Sequence, residues 1–311
     1  SKSRSSIQED IRSLIFEIMT AEERLIAKIP TDLVAGKTQV GEFSVAYVKA
    51  GSGPALLLLH GLNMGWGQWY PNIAELAKHF TVYALDLPGA GRSTPFRVGA
   101  NNFPLAILGV VEGFIREHNL LAPAIIGHSF GAWVALQIAV RKNVPVGRLV
   151  LMSPLGLNAR TPAKYRPLGI RWLAWLLSRT VMHLNRENMK KFVTSVLFQP
   201  KTVSEEFIDY YYESLRSRGH EHPFVIINRL SGFFRMRKEF LFPQELSYSA
   251  APVLMVIGAH DPITNIAGVR THVFASAPGV RVEIMQESGH VPSTEQATEF
   301  NALVIQFLKN S

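Results

Sequence analysis

Gly127-His128-Ser129-Phe130-Gly131 places a serine between two apolar runs, APAIIGHS (122–129) and FGAWVALQIAVRK (130–142). The first reads as a strand and the second as a helix. A G-x-S-x-G string in that context suits a nucleophile elbow, a sharp turn that thrusts a serine hydroxyl out at the end of a sheet. Side chains at 127 or 131 would collide with neighbouring backbone, so both glycines have a steric reason. The following helix directs its positive end at the hydroxyl. A serine hydroxyl is a weak nucleophile until a base takes its proton. The base belongs late in the chain, on a loop after a strand, and His290 in Glu287-Ser288-Gly289-His290-Val291-Pro292 stands there. Of the ten histidines, only His260 shares such a strand-end position beyond Ser129, and it is read as a packing or loop residue. A third group must fix the imidazole tautomer and stabilise its charged form. The chain has five aspartates, Asp10, Asp32, Asp86, Asp209 and Asp261. Asp261 ends the run PVLMVIGAHD and precedes Pro262, at the same sheet edge as the other two. The chain order Ser129, Asp261, His290 is the order of elbow-type triads.

Such a triad forms a tetrahedral oxyanion, which needs two preorganised donors. The backbone N–H of Phe130, next after the nucleophile, is the first. The second is assigned to the Leu62 N–H, in the loop His60-Gly61-Leu62-Asn63-Met64-Gly65, with His60 shaping that loop. Asp86-Leu87-Pro88-Gly89-Ala90-Gly91-Arg92-Ser93 is rich in glycine, but it lacks the G-x-G-x-x-G spacing and a Walker lysine. It is read as a loop at the rim of the site and not as a nucleotide cradle. No group of His, Asp and Glu has metal-ligand spacing, so neither a metal nor a cofactor is expected. Without cysteine, disulfides, Cys-ligated zinc and a thiol nucleophile are excluded.

These residues need elements to hold them. At 311 residues, 47% apolar and 18% charged, the chain can bury a large core. Strand-like runs at 41–51, 54–61, 81–89, 122–129, 147–154, 252–261 and 280–290 alternate with helical runs at 69–80, 105–120, 130–142 and 295–310. That alternation predicts a mostly parallel sheet with helices on both faces. It stops at Pro154 and resumes at Pro252. The expected organisation is therefore a helical N-terminal extension (1–35), a core (36–154 and 247–311) and an inserted helical cap (155–246). The extension reads as one helix over 7–29, with apolar residues at three- and four-residue steps and Pro30 as its stop. SKSRSSIQEDIRSLIFEIM is a poor secretory leader, since Glu17 breaks its apolar stretch and no small-residue cleavage site follows.

HGLNMG, DLPGAGRS, GHSFG, GAHDPIT and SGHVP, in this order and spacing, resemble the α/β-hydrolase superfamily with a helical cap. The resemblance covers roughly 40–311 apart from the cap, and implies an eight-stranded sheet and a Ser-His-Asp hydrolase. TAEERLIAKIP, SPLGL and EQATEFNALV also resemble the lysophospholipase/lysophosphatidic-acid-acyltransferase-like branch, which includes lipid hydrolases and a coactivator lacking the nucleophile. That branch carries a His-x4-Asp motif linked to acyl transfer. Here the segment reads His290-Val-Pro-Ser-Thr-Glu295, which departs from it.

Charge adds a partner. Residues 155–246 hold 15 Lys and Arg against 8 Asp and Glu, a net of +7 out of the chain's +8. Within them, Arg171-Trp172-Leu173-Ala174-Trp175-Leu176-Leu177-Ser178-Arg179 reads as a helix, in which the aromatic residues either bury against the core or meet a membrane–water interface. The expected substrate is an amphipathic or lipid-like carboxylic ester. No nucleic acid is expected. A cytoplasmic location is expected, with peripheral contact between the cap and an anionic membrane surface. Two other functions stay open. One is a C–C bond hydrolase using the same triad, which a polar, acid-binding pocket would favour. The other is a non-catalytic lipid-binding or coactivator protein.

Overall fold

The structure is a computed structural model that describes residues 19–96, 103–157, 160–218, 220–241, 245–264, 266, 277 and 279–309. Eight strands form one sheet: β1 (Val34–Val40), β2 (Phe43–Ala50), β3 (Ala55–Leu59), β4 (Thr81–Leu85), β5 (Ala124–His128), β6 (Leu149–Met152), β7 (Val253–Gly258) and β8 (Arg281–Met285). Their spatial order is β1-β2-β4-β3-β5-β6-β7-β8. β2 runs antiparallel to both of its neighbours, and every pairing from β4 to β8 is parallel. The middle strands are buried on both faces, which is why they read as unbroken apolar runs such as Leu56–Leu59. One apolar cluster, with Trp133 and Phe114, covers one face, and another, with Trp66 and Trp69, covers the other.

From β3 the chain crosses to β4 on one side and later to β5 on the other. The sheet thus has a switch point between β3 and β5, where open α/β sheets leave a crevice beyond the carboxyl ends of their strands. The loops carrying Leu62, Ser129, Asp261 and His290 all follow carboxyl ends of parallel strands.

Helices α1 (Ala21–Ile26), α2 (Ile73–Ala77), α3 (Phe103–Glu117) and α4 (Phe130–Arg141) precede the long β6–β7 connection. That connection holds α5 (Arg171–Arg179), α6 (Arg186–Thr194), α7 (Glu205–Arg218) and α8 (Pro223–Leu230), and α9 (Pro292–Glu295) and α10 (Ala297–Lys309) close the chain. Most of the helix expected over 7–29 lies outside the described residues. Its described part, α1, opens on a capping box between Thr20 and Glu23 and ends at Ile26, short of the expected Ile29. Leu25 buries completely, and Arg24 and Lys28 reach Asp209 and Glu206 on α7.

The hairpin partner β1 went unread in the sequence. It is an edge strand whose residues are half-buried or exposed, so it shows no apolar alternation.

Candidate active site

Ser129 sits between β5 and α4 with φ +50° and ψ −110°, a conformation that side-chain-bearing residues rarely adopt. The glycines permit it. A Cβ on Gly127 would meet the Gly131 carbonyl oxygen at 2.3 Å, and one on Gly131 would meet the Leu59 carbonyl oxygen at 2.3 Å. The Ser129 side chain does not cap α4, so its hydroxyl is left to the cavity it lines. His290 lines the same cavity.

Asp261, just beyond β7, accepts from His290 Nδ1 at 2.8 Å through Oδ2. Its Oδ1 accepts from the Ile263 and Thr264 N–H groups at 2.7 and 3.0 Å. Burial pushes the Asp261 carboxyl up, but the charge and hydrogen bond of His290 and those two N–H groups outweigh it and hold it at about 2. An acid ionised at any working pH keeps the proton on His290 Nδ1, which leaves Nε2 as the basic atom.

Leu62 and Phe130 both line the cavity. Phe130 opens α4, so its N–H has no acceptor within the helix. Among the described residues, neither its N–H nor that of Leu62 donates to another protein group. His60 is buried, holds the Gly61 carbonyl through Nδ1 and accepts from the Leu87 N–H at 2.9 Å. Burial lowers its pKa to about 4 against the opposing Gly61 bond, so the ring stays neutral and braces the loop. His260 stacks on Phe198, with ring centroids 3.8 Å apart. From the loop between Asp86 and Ser93, residues Leu87 to Ala90 line a smaller neighbouring cavity together with Leu62 and Phe130. Buried Asp86, pushed up to about 6 by burial, accepts from the N–H groups of Trp66 and Arg92 and from the Tyr210 hydroxyl.

Three braces on His290 had no reading in the sequence. Its own N–H donates to the Val196 carbonyl at 2.9 Å. Its carbonyl faces His128 Nε2 at 3.0 Å, and burial, with the nearby charge of His290, keeps His128 neutral. The Gly289 and Val291 N–H groups on either side donate to Glu295 at 2.9 and 3.3 Å.

The cavity wall combines the loops after β3, β5, β7 and β8 with the β6–β7 connection. It includes Leu62, Met64, Phe130, Leu155, Phe192, Val196, Ile227, Leu230 and Met236, and none of its described residues is Asp, Glu, Lys or Arg. Outside it, Trp172 and Trp175 are 66% and 53% exposed, and the Arg179 guanidinium lies 4.7 Å from the Trp175 ring. No group of three or more His, Asp and Glu among the described residues could hold a metal. No described helix is long and apolar enough to cross a membrane.

Known proteins share this arrangement of elements. The chain is 30% identical over 266 residues to the dihydrolipoyllysine-residue acetyltransferase component of an acetoin cleaving system from Cupriavidus necator. The match takes in 85% of this chain but spans only 66% of that relative's length. A 2-hydroxy-6-oxononadienedioate/2-hydroxy-6-oxononatrienedioate hydrolase from Pseudomonas putida is 28% identical over 266 residues, covering 82% of this chain and 87% of its own. The carboxylesterase CesB of Bacillus subtilis superposes with a TM-score of 0.74 at 19% identity, over 94% of this chain and 96% of its own. These relatives do not single out the lysophospholipase-like branch. The model of the alpha/beta hydrolase family matches residues 56–303, most of the chain. With the eight-stranded sheet and the strand–serine–helix turn in place, the chain is a hydrolase that belongs to the alpha/beta hydrolase family.

Proposed function

We propose that the protein hydrolyses carboxylic esters with an uncharged acyl chain through Ser129, His290 and Asp261. The observation that carries this reading is the uncharged, mostly apolar wall on which Ser129 and His290 both lie. Ser129 Oγ attacks the ester carbonyl while His290 Nε2 accepts its proton. The Leu62 and Phe130 N–H groups hold the oxyanion. His290 then protonates the leaving alcohol, and in deacylation it takes a proton from water, which attacks the acyl-enzyme. Asp261 stays ionised throughout.

In this reading residues 155–246 act as a cap that closes the acyl pocket, on a core of 36–154 and 247–311, with 1–35 as an extension. The C–C reading draws on the Pseudomonas putida relative, whose name describes a dienedioate substrate. Two carboxylates need cationic or strong polar partners once desolvated. The described wall offers no Lys or Arg, which favours the ester.

A p-nitrophenyl ester series from acetate to palmitate tests the pocket. A buried methylene contributes about 0.8 kcal/mol, so kcat/KM should rise at least tenfold between acetate and octanoate. A maximum at acetate would sink the apolar-chain reading. Faster turnover of a dienedioate than of any ester would move the assignment to C–C cleavage.

We also propose that the basic cap meets anionic lipid surfaces. The two Trp side chains on α5 stay exposed instead of burying, and Trp beside Arg suits a membrane–water interface. In a flotation assay, vesicles with 30% phosphatidylglycerol should carry several-fold more protein than pure phosphatidylcholine vesicles. The difference should shrink in 0.5 M NaCl as charges are screened. Equal flotation on both vesicles would end this part of the proposal.

A further inference from the structure

We propose that Glu295 is a positioning residue that sets the geometry of His290 and ties it to the seating of the 155–246 insertion. The inference rests on the reading of His290 as the base. Glu295 sits at the end of α9, 6% exposed, and its described partners are all backbone N–H groups. One carboxylate oxygen takes Gly289 and Val291, the neighbours of His290. The other takes Phe198 and Gln199 of the insertion at 2.6 and 2.8 Å. A single buried carboxylate therefore clips two segments about 90 residues apart in the chain.

The clip closes a ring. His290 N–H donates to Val196, two residues before the insertion N–H groups that Glu295 holds. If residues 196–199 shift outward, the His290 loop loses its own acceptor and half of the clip together. The imidazole then shifts relative to Asp261 and to the cavity it shares with Ser129, and misplacing a catalytic group by about 1 Å can cost on the order of 100-fold in rate. Burial without a cation pushes the Glu295 carboxyl upward, and the four N–H donors oppose that push. A carboxylate is needed because only it offers acceptors on both sides. An amide at 295 would turn an NH2 group toward one of the two N–H pairs.

The test is steady-state kinetics on a p-nitrophenyl ester with Glu295→Gln and Glu295→Asp, each normalised to the fraction of Ser129 titrated by a fluorophosphonate. Glu295→Gln should lower kcat at least tenfold with KM within twofold. Glu295→Asp keeps the charge but is a methylene shorter, so it should fall between the wild type and Glu295→Gln. It also keeps the test alive should Glu295→Gln not fold.

The pH profile separates positioning from mere stability. The titratable groups facing His290 are Asp261, bonded to it, and His128, whose ring centroid lies 4.9 Å away. The charge of Asp261 acts in turn on Lys164 and Tyr165, and Tyr165 lines the same cavity as His290. A loosened His290–Asp261 bond stabilises the imidazolium less. The acid limb of kcat/KM should therefore move to lower pH in Glu295→Gln. A kcat within twofold of the wild type, or an unmoved limb, would overturn the inference even if the variant melted earlier. A Ser129→Ala blank keeps the two claims apart. Full activity there sinks the reading of the site, whereas a dead blank beside a fully active Glu295→Gln sinks only the positioning role.

Discussion

Ser129→Ala lowers kcat by on the order of 10⁵- to 10⁶-fold on any ester that the wild type turns over, as loss of a triad serine does elsewhere. The effect is this large because no other hydroxyl stands on the elbow between β5 and α4. In the proposed mechanism the remaining rate comes from the Leu62 and Phe130 donors and the pocket, which the substitution leaves in place. The fold should survive. Alanine keeps the Cβ, so it meets the same positive-φ strain that serine already bears, and the Ser129 hydroxyl caps nothing. The melting temperature should stay within a few degrees of the wild type, and labelling by a fluorophosphonate should vanish. An undiminished rate would place the nucleophile elsewhere. A wild-type protein that resists the fluorophosphonate would revive a binding or coactivator role.

The placement of the candidate site's residues was largely legible in the sequence because its constraints are local. An elbow serine needs small flanking residues, a strand before it and a helix after it, and all lie within residues 122–142. Asp261 follows β7, an unbroken apolar run, and His290 follows β8, where Val282 and Ile284 alternate with Arg281 and Glu283. What stayed hidden depends on tertiary contact. Glu295 works through backbone N–H groups near residues 198 and 289, and no side-chain type at those positions signals it. His128 reads as the variable letter of a motif, yet its ring faces the carbonyl of His290. Strand β1 escaped because it is an edge strand with no buried residue, and the half-buried face carries Gly36, Thr38 and Val40, which give no apolar alternation to read. Trp172 and Trp175 show the opposite limit. An amphipathic helix has the same pattern whether its apolar residues face a core or an interface, so their exposure could come only from packing.

Asp261→Asn should lower kcat by about 10⁴-fold while leaving the backbone of the site in place. The geometry explains why so small a change costs so much. Asp261 Oδ1 accepts the Ile263 and Thr264 N–H groups, and Oδ2 accepts His290 Nδ1–H. An asparagine satisfies the two backbone donors best with its single oxygen, which turns its NH2 toward His290. That NH2 donates to Nδ1 and forces the imidazole proton onto Nε2. Nε2 is the atom that must take the Ser129 proton, so the ring is held in the wrong tautomer. The same substitution changes the acid response. The folded-state pKa of Asp261, at about 2, lies below the ordinary carboxylate value. Its ionised form therefore contributes stability that is complete above that ordinary value and is lost as pH falls toward 2. Asparagine has no such proton to bind. Between pH 4 and pH 2 the stability of Asp261→Asn should thus fall less steeply than that of the wild type, as followed by urea midpoints at each pH. A kcat within tenfold of the wild type would show that another group orients His290. Parallel acid-stability curves would show that the Asp261–His290 pair does not hold the carboxylate ionised.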